Sequence, residues 1–407
     1  MFHRSILGIE SHNLDLFLSN ETSVRSLFNR SCNGHNVAVC EGAMGLYDGV
    51  GGSTDKASAW HIADTLDIPV ILVVRPKGAS LTLAAEIKGL KDFRDNSHIK
   101  GIILNNCSDM LGKSLGSIIE RETGIPVLGT LPHLDYGEIK SRHLGLYTAN
   151  EIDDISDRII KIANELEKHI DVDKLINICN FKDITANVNN CVSIPEAVSI
   201  AVARDKAFCF CYKETIEAFS ALGAKPIFFS PLYDDKLPEN ISGLYIPGGY
   251  PELYAEELSK NESMRKSIKS AIDNGMPTIA ECGGFLYLQS SLADDNNIEH
   301  PMVGALNGTG YNYGRLVRFG YADMTAKKDS LLFKKGETIP IHEFHYWEST
   351  EIGNDFTSCK PISNRSFEFG YATDSLYAAF PHIYFEAQPK ICLRFIKAAE
   401  KYMKSNL

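Results

Sequence analysis

The sequence predicts an α/β protein built from two parallel-sheet, three-layer domains. Apolar runs without polar alternation, such as PVILVV at 69–74 and GIILNN at 101–106, are separated by helical patterns. Continuous apolar strands of this kind are typical of parallel sheets that are covered on both faces. The pattern fades in a polar, Asn-rich stretch at 170–194 and then begins again, and a chain of 407 residues is long enough for two such cores.

The predicted elements define three segments. The first domain, residues 1–169, has predicted strands at 37–40, 69–74, 101–106 and 126–131, helices at 79–90 and 112–123, and an amphipathic helix at 151–168. Residues 170–198 are interpreted as a linker with some local helix. The second domain, residues 199–407, has predicted strands at 199–205, 225–231, 243–249 and 277–284, then a strand-rich segment and a helix from about residue 389.

Composition and charge exclude several classes of function. The net charge of −11 disfavours nucleic acid as a partner, because a phosphate backbone needs a basic face. We find neither an apolar run of the roughly 20 residues that span a bilayer nor a secretory signal. The ten cysteines form no CxxC pair, which favours a reducing cytoplasm. Small molecules are therefore the expected partners, and a homodimer is left open.

The sharpest local signal is the segment Ala280–Gly284, in which Cys282 stands between an apolar strand and a helix. A small residue two positions before the cysteine and a glycine two positions after it form the pattern of a nucleophile elbow. The helix that follows favours the thiolate, and the amide of Gly283 can help to stabilise an oxyanion. The alternative interpretation is a buried structural cysteine at a strand end.

A cysteine nucleophile needs a base, and His382 follows an apolar run about 100 residues downstream. That order suits a class I glutamine amidotransferase. The turn Pro247–Glu252 follows a strand and precedes a helix, so its Gly248 and Gly249 are candidates for the second oxyanion donor and the glutamine pocket. Taken alone, a histidine at a strand end is more often a structural hydrogen-bonder, and a Gly-Gly pair is more often a plain turn.

Longer segments resemble the cobyrinate a,c-diamide synthase family over nearly the whole chain. In the second half these are PGGYPELYAEEL, ECGGFLYL, HEFHYWES and AAFPHIYF, in the order of that family, and in the first half SHNLDLFL, CEGAMGLYDG, GSTDKASAWHIADTLDIPVILVV and RHLGL. The resemblance implies a P-loop-type ATP-binding domain similar to dethiobiotin synthetase, followed by a class I glutamine amidotransferase-like domain.

The resemblance also implies an activity, namely ATP- and glutamine-dependent amidation of the a and c carboxylates of cobyrinate in cobalamin biosynthesis. Glutamine is hydrolysed at a cysteine through a thioester, ATP with Mg²⁺ activates the carboxylate as an acyl phosphate, and ammonia attacks it. Cys282 matches the nucleophile and His382 its base, Asp48 matches a catalytic aspartate of the amidation site, and Glu41 matches a metal ligand. Without the resemblance, Glu41 and Asp48 would be interpreted as solvated loop residues.

Two motifs resemble a zinc site and a phosphate-binding loop, but their spacing argues against both interpretations. His342–His345 lacks the i, i+4 spacing of a helical zinc motif and lies in a strand-like setting, so we expect a substrate-side or interdomain role. Leu111–Ser114 contains GKS, but Cys107 stands where a phosphate-binding loop needs its first glycine. No glutamate follows His382 by two positions, where Tyr384 stands, so Cys282 and His382 are expected to work as a dyad.

Relative to the resembled family, we expect a segment of about 50 residues, with a Walker A loop, ahead of Met1. Without it, ATP binding should be weak and the first domain of low stability. Two alternatives therefore stay open. One is the same diamidation on another tetrapyrrole, such as nickel-sirohydrochlorin. The other is an inactive chain, or a glutaminase that depends on a partner or acts alone.

Overall fold

The computed structural model describes residues 2–139, 141–142, 145–146, 152–180, 198–363 and 365–406. The chain divides into two compact units, Met1–Leu16 with Val24–Asn187 and Phe17–Ser23 with Val188–Leu407. Each unit contains its own parallel sheet, so the predicted α/β class with two cores is confirmed. Parts of the expected linker at 170–198 and of the RHLGL segment at 142–146 lie outside the described residues.

The first unit holds a parallel sheet of β1 (Val70–Val74), β2 (Ile99–Asn105) and β3 (Val127–Leu131), with β2 in the centre. Its helices are α1 (Phe2–Leu7), all but the first three residues of α2 (Glu21–Cys32), α3 (Ala59–Leu66), α4 (Leu81–Asp92), α5 (Asp109–Thr123), α6 (Ile155–His169) and α7 (Val172–Ile178). The short strands β4 (Ser141–Arg142) and β5 (Gly145–Leu146) pair antiparallel. The predicted strands at 69–74, 101–106 and 126–131 and the helices between them are therefore present.

Aliphatic side chains from the helices and the sheet form the larger of two hydrophobic clusters in this unit. Ile87 of α4, Ile102 of β2 and Leu115 of α5 are almost completely buried in it. The GKS sequence lies inside α5, where Gly112 packs so tightly on Thr130 of β3 that a Cβ would clash. Lys113 points away from this contact and is exposed. The segment therefore forms helix rather than a phosphate-binding loop.

The predicted strand VAVC at 37–40 is wrong. Residues 37–40 form a loop, in which Val37 is 65% and Val39 90% exposed. Extended backbone needs a neighbouring strand for its N–H and C=O groups. In the described sheet β1 pairs with β2, and residues 37–40 pair with neither strand. An apolar run alone was therefore not enough to make a strand.

The second unit is built on a six-stranded sheet in which β6 (Ser199–Ala203), β7 (Lys225–Phe229), β8 (Gly243–Ile246), β9 (Thr278–Glu281) and β19 (Leu376–Ala379) are parallel. The strand order is β18-β19-β9-β8-β6-β7, where the edge strand β18 (Tyr371–Ala372) is antiparallel. The helices are α8 (Lys213–Ala221), α9 (Ala255–Lys260), α10 (Glu262–Asp273), α11 (Gly283–Tyr287) and α12 (Pro389–Ser405). Neighbouring β8 and β9 bring the two glycine-containing turns that follow them to the same edge of the sheet.

The strand-rich segment of the second unit forms two additional four-stranded sheets. One contains β10 (Ser291–Ala293), β11 (Glu299–Pro301), β12 (Thr309–Asn312) and β15 (Trp347–Ser349). The other contains β13 (Arg318–Ala326), β14 (Thr338–His345), β16 (Phe356–Cys359) and β17 (Ser366–Phe369). HEFHY thus falls on β14, as expected. Because successive side chains of a strand alternate, His342 and His345 point to opposite faces, which excludes a shared metal.

Candidate active site

Cys282 occupies a strained turn between β9 and α11, with φ 51° and ψ −106°. A positive φ is unfavourable for a residue with a Cβ, and it places the side chain at the end of the sheet. Gly284 permits the turn, since a Cβ there would clash with the carbonyl oxygen of Ile246. The amide of Cys282 donates to the carbonyl of Ala379 at 2.9 Å, which ties the turn to β19. The local geometry is that of a nucleophile elbow.

The structure brings His382 and Gly248 to this cysteine. A Cβ built on Gly248 would stand 3.3 Å from both Cβ of Cys282 and Nε2 of His382. Cys282 is 6% exposed, and the His382 side chain is 11% exposed. Three sequence-predicted residues from three separate turns therefore meet in one nearly closed site.

Backbone contacts hold His382 in place. Its amide donates to the carbonyl of His342 on β14 at 3.1 Å, and the amide of Ile383 donates to Oε1 of Glu281 at 3.0 Å. The ring of Tyr212, just before α8, lies 6.2 Å from the imidazole between centroids. The backbone of His382 is therefore held between the parallel sheet and the antiparallel strand β14.

Glu281 is a site residue that sequence reasoning does not single out. It ends β9 directly before the nucleophile and is 1% exposed. Its Oε2 accepts from the hydroxyl of Tyr245 at 2.9 Å and lies 3.8 Å from Nδ1 of His382. The signal available in the sequence was a carboxylate at the end of an otherwise apolar strand. Such a strand is expected to be buried, and a buried charge needs partners.

The charges around His382 favour its protonated form. Burial by itself lowers the pKa of His382, but the neighbouring Cys282 and Glu281 side chains outweigh burial and raise that pKa well above its usual value. Burial also raises the pKa of Tyr212, with His382 acting in the opposite direction. An imidazolium beside the thiol stabilises a thiolate, which is the nucleophilic form of cysteine.

The glycine turn after β8 packs against the elbow. Gly249 N lies 2.9 Å from the position that a Cβ on Gly283 would take. A Cβ on Gly249 itself would clash with the backbone of Ala207. The amides of Gly249 and Gly283 are therefore neighbours beside Cys282, and neither position has room for a side chain.

Glu41 and Asp48 lie in the loop that precedes α3, and both are exposed. The Asp48 carboxylate folds over Gly45, whose carbonyl accepts from the Asp48 amide at 2.9 Å. Within the described residues, no three His, Cys, Asp or Glu side chains cluster as they would around a metal. At nucleotide sites Mg²⁺ takes one or two carboxylates and completes its shell with phosphate oxygens and water, so a single exposed carboxylate fits this ion.

Behind the site, β14 carries a buried polar pair. Glu343 is fully buried, and neither carboxylate oxygen has a hydrogen-bond partner. Burial raises the pKa of Glu343 to about 7, although Arg318 and Lys360 act in the opposite direction. Burial likewise lowers the pKa of His345 to about 3, and its Nδ1 bonds to the carbonyl of Trp347 at 2.7 Å. His345 is therefore neutral and carries its proton on Nδ1.

Two family matches divide the chain. Residues 199–390 match the CobB/CobQ-like glutamine amidotransferase domain. Residues 20–138 match the AAA domain. These matches fall on the second and the first parallel sheets, respectively. None of the helices in the described part of the chain has the length and apolar character that crossing a membrane requires.

Curated proteins resemble the chain over almost its entire length. Cobyrinate a,c-diamide synthase of Clostridium tetani is 40% identical over 402 residues, which is 98% of this chain and 89% of that protein. Cobyrinate a,c-diamide synthase of Caldanaerobacter subterraneus is 38% identical over 385 residues, with 94% and 85% covered. The Picrophilus torridus protein of the same name is 37% identical over 407 residues, with 98% and 88% covered.

Solved structures match the chain more distantly. PurLQS from Thermotoga maritima superposes with a TM-score of 0.36 and 15% identity, covering 50% of this chain and 98% of that one.

Proposed function

This chain belongs to the cobyrinate a,c-diamide synthase family, and we propose that it uses ATP and glutamine to amidate the a and c carboxylates of cobyrinate in cobalamin biosynthesis. The observation that carries the proposal is the 40% identity to a protein of that name across 98% of this chain, which includes both units. Diamidation of another tetrapyrrole, such as nickel-sirohydrochlorin, is not favoured, because the similar curated proteins bear the cobyrinate name.

We assign one half-reaction to each domain. Residues 1–169 are the proposed ATP-binding and amidation domain, residues 170–198 the linker, and residues 199–407 the glutamine-hydrolysing domain. The AAA match at 20–138 and the amidotransferase match at 199–390 support this assignment. The nine described cysteines are free thiols, which supports a reducing cytoplasm as the place of the reaction.

In the glutaminase half-reaction, the thiolate of Cys282 attacks the carboxamide carbon of glutamine and forms a C–S bond. His382 donates its proton to the leaving nitrogen, the C–N bond breaks, and ammonia departs. His382 then takes a proton from water, which attacks the thioester; the C–S bond breaks, glutamate leaves with its carboxyl proton lost to solvent, and the thiolate of Cys282 is restored. Cys282 and His382 both lie against Gly248, and this proximity supports both transfers.

Both tetrahedral intermediates carry a negative oxygen. We assign the amides of Gly249 and Gly283 as its donors, because the two backbones pack together beside Cys282. Gly248 leaves the space between Cys282 and His382 open for the carboxamide. Preorganised donors of this kind stabilise the transition state most where water is excluded, and Cys282 is only 6% exposed.

In the ligase half-reaction, a corrin carboxylate oxygen attacks the γ-phosphorus of ATP, and ADP leaves. Ammonia then attacks the acyl phosphate, displaces phosphate and yields the amide. Glu41 is the proposed ligand for Mg²⁺, which would neutralise charge on the phosphates when bound. Asp48 is the proposed catalytic carboxylate of the amidation site, held in its loop by the turn at Gly45.

The test is an assay of the 407-residue chain with cobyrinate, glutamine, ATP and Mg²⁺, in which glutamate release and the diamide product are both measured. We expect both products. Cys282→Ala should abolish glutamate release while amidation continues with ammonium salts, which separates the two half-reactions. Glutamate release without any corrin amide, with glutamine or with ammonia, would overturn the proposed ligase activity.

A further inference from the structure

Building on the proposed glutaminase activity, we infer that Glu281 positions His382 through Nδ1, so that the site works as a Cys–His–Glu triad whose acid precedes the nucleophile. A dyad was expected because Tyr384 stands where a downstream glutamate would lie. The carboxylate comes instead from β9, the strand that also presents Cys282.

The position of the Glu281 carboxylate is fixed from two directions. The hydroxyl of Tyr245, on the neighbouring strand β8, donates to Oε2 at 2.9 Å. The amide of Ile383, the residue after the base, donates to Oε1 at 3.0 Å. A carboxylate has about four acceptor positions, so these two donors leave capacity for an imidazole N–H.

The facing nitrogen of His382 is available for that contact. Nδ1 is buried and has no hydrogen-bond partner, and it stands 3.8 Å from Oε2 of Glu281. Hydrogen bonds between catalytic groups are often long before the substrate binds, and a movement of about 1 Å would close this one. A proton held on Nδ1 leaves Nε2, which lies near Gly248 as Cβ of Cys282 does, to exchange protons with the thiol.

Several titratable groups lie near His382 and shape its titration. They are Cys282 and Glu281 at the elbow, Tyr212 before α8, and Glu343 and His345 on β14. Glu281 is the one whose carboxylate oxygen approaches Nδ1, and it is also among the groups that raise the pKa of His382. Loss of this charge should therefore destabilise the imidazolium specifically.

The experiment compares wild type, Glu281→Gln and Tyr245→Phe in glutamine hydrolysis over a range of pH. For Glu281→Gln we expect kcat to fall by about 10²–10⁴ while KM changes less than about threefold, because orientation of the base acts on the chemical step. The alkaline limb of the kcat profile should move down by about one pH unit, since a neighbouring carboxylate stabilises an imidazolium by that order.

Tyr245→Phe is the matched control. It removes one hydrogen bond to the same carboxylate but keeps the charge, so kcat should fall less than about fivefold and the alkaline limb should stay in place. Equal losses of kcat in both variants, with no shift of the alkaline limb, would show that Glu281 only stabilises the fold.

A third variant covers the case in which Glu281→Gln does not fold. Glu281→Asp keeps the charge and shortens its reach, so the alkaline limb should stay while kcat falls. An unchanged kcat in Glu281→Asp would contradict the positioning role. Failure of wild type to release glutamate would instead refute the proposed function, and the two failures are thus distinguishable.

Discussion

The backbone of Gly248 lies so close to the imidazole of His382 that a methyl group on Gly248 would stand 2.6 Å from the ring carbon Cε1. That distance is shorter than any real Cβ contact, so either the imidazole or the turn must move. Because the amide of His382 is bonded to β14, the ring is the part that can rotate. The glycine therefore protects the orientation of the base.

Gly248→Ala should lower kcat for glutamine hydrolysis by about 10² or more, since misplacement of a catalytic group by about 1 Å has that order of effect. Gly89→Ala in α4 is the control, because a Cβ there meets nothing within 4 Å. It should leave activity unchanged and slightly stabilise the helix. Circular dichroism melting of both variants checks folding, and a fully active Gly248→Ala enzyme would contradict the assigned role of this turn.

Glu343 makes stability depend on pH. Burial raises its pKa to about 7 in the folded chain, against an ordinary value of 4.5. The folded state therefore favours the protonated form, and the resulting stability is complete below pH 4.5 and is lost as pH rises through 7. The loss should amount to roughly 3 kcal/mol.

Glu343→Gln removes this titration while keeping the shape of the side chain. The difference in unfolding free energy between wild type and variant should shift by that amount between pH 4.5 and pH 8, in favour of the variant at high pH. Urea unfolding at several pH values measures it. Glu368→Gln, at a side chain that is 56% exposed, should follow wild type at every pH. If the unfolding free energies of Glu343→Gln and wild type changed with pH in parallel, a partner would have to neutralise this carboxyl.

The elbow around Cys282 could be predicted from a local chain pattern, and the reason is physical, whereas the catalytic roles of Cys282 and His382 stay predictions. A nucleophile elbow needs its small residues within two positions of the cysteine, so the signal is contained in Ala280–Gly284. Apolar runs that have a strand on each side in the sheet, such as β2, were likewise predicted, and the predicted ends lie within two residues of the observed ones. The carried-over roles of Glu41 and Asp48 rest on resemblance and stay predictions.

What the sequence could not supply depends on pairing between distant segments. Residues 37–40 are apolar enough for a strand, yet the described sheet offers them no partner. Glu281 acquires its place only when β8, β9 and the loop at Ile383 come together, through contacts 36 and 102 residues apart in the chain. Such contacts leave no periodic trace in the sequence.

Substitutions in the GKS segment can test whether it packs as part of a helix or binds phosphate. Gly112 faces Thr130 within α5, so Gly112→Ala should destabilise the first unit by about 1–3 kcal/mol through overpacking. Gly116 is the matched control in the same helix, because a Cβ there would make ordinary contact with Val127 at 3.7 Å. Gly116→Ala should be neutral or slightly stabilising.

Lys113→Ala should leave ATP binding unchanged in equilibrium titration, and a loss of binding would restore the phosphate-loop interpretation.

The assignment of one half-reaction to each unit can be tested by substituting the carboxylates of the first unit. Glu41→Gln and Asp48→Asn should each reduce amidation of cobyrinate by about 10² or more with either glutamine or ammonia, since charge stabilisation in phosphoryl transfer has at least that order. Glutamate release should persist in both variants, because Cys282 and His382 belong to the other unit.

Asp67→Asn is the control for these substitutions. Asp67 ends α3 in the left-handed conformation with φ 50°, which asparagine also tolerates, and its side chain is 87% exposed. It should retain both half-reactions. If Asp48→Asn instead abolished glutamate release and left ammonia-dependent amidation intact, Asp48 would act on the glutaminase half-reaction, and its assignment to the amidation site would have to be withdrawn. Wild-type rates with ammonia for both Glu41→Gln and Asp48→Asn would remove the first-unit carboxylates from the chemistry altogether.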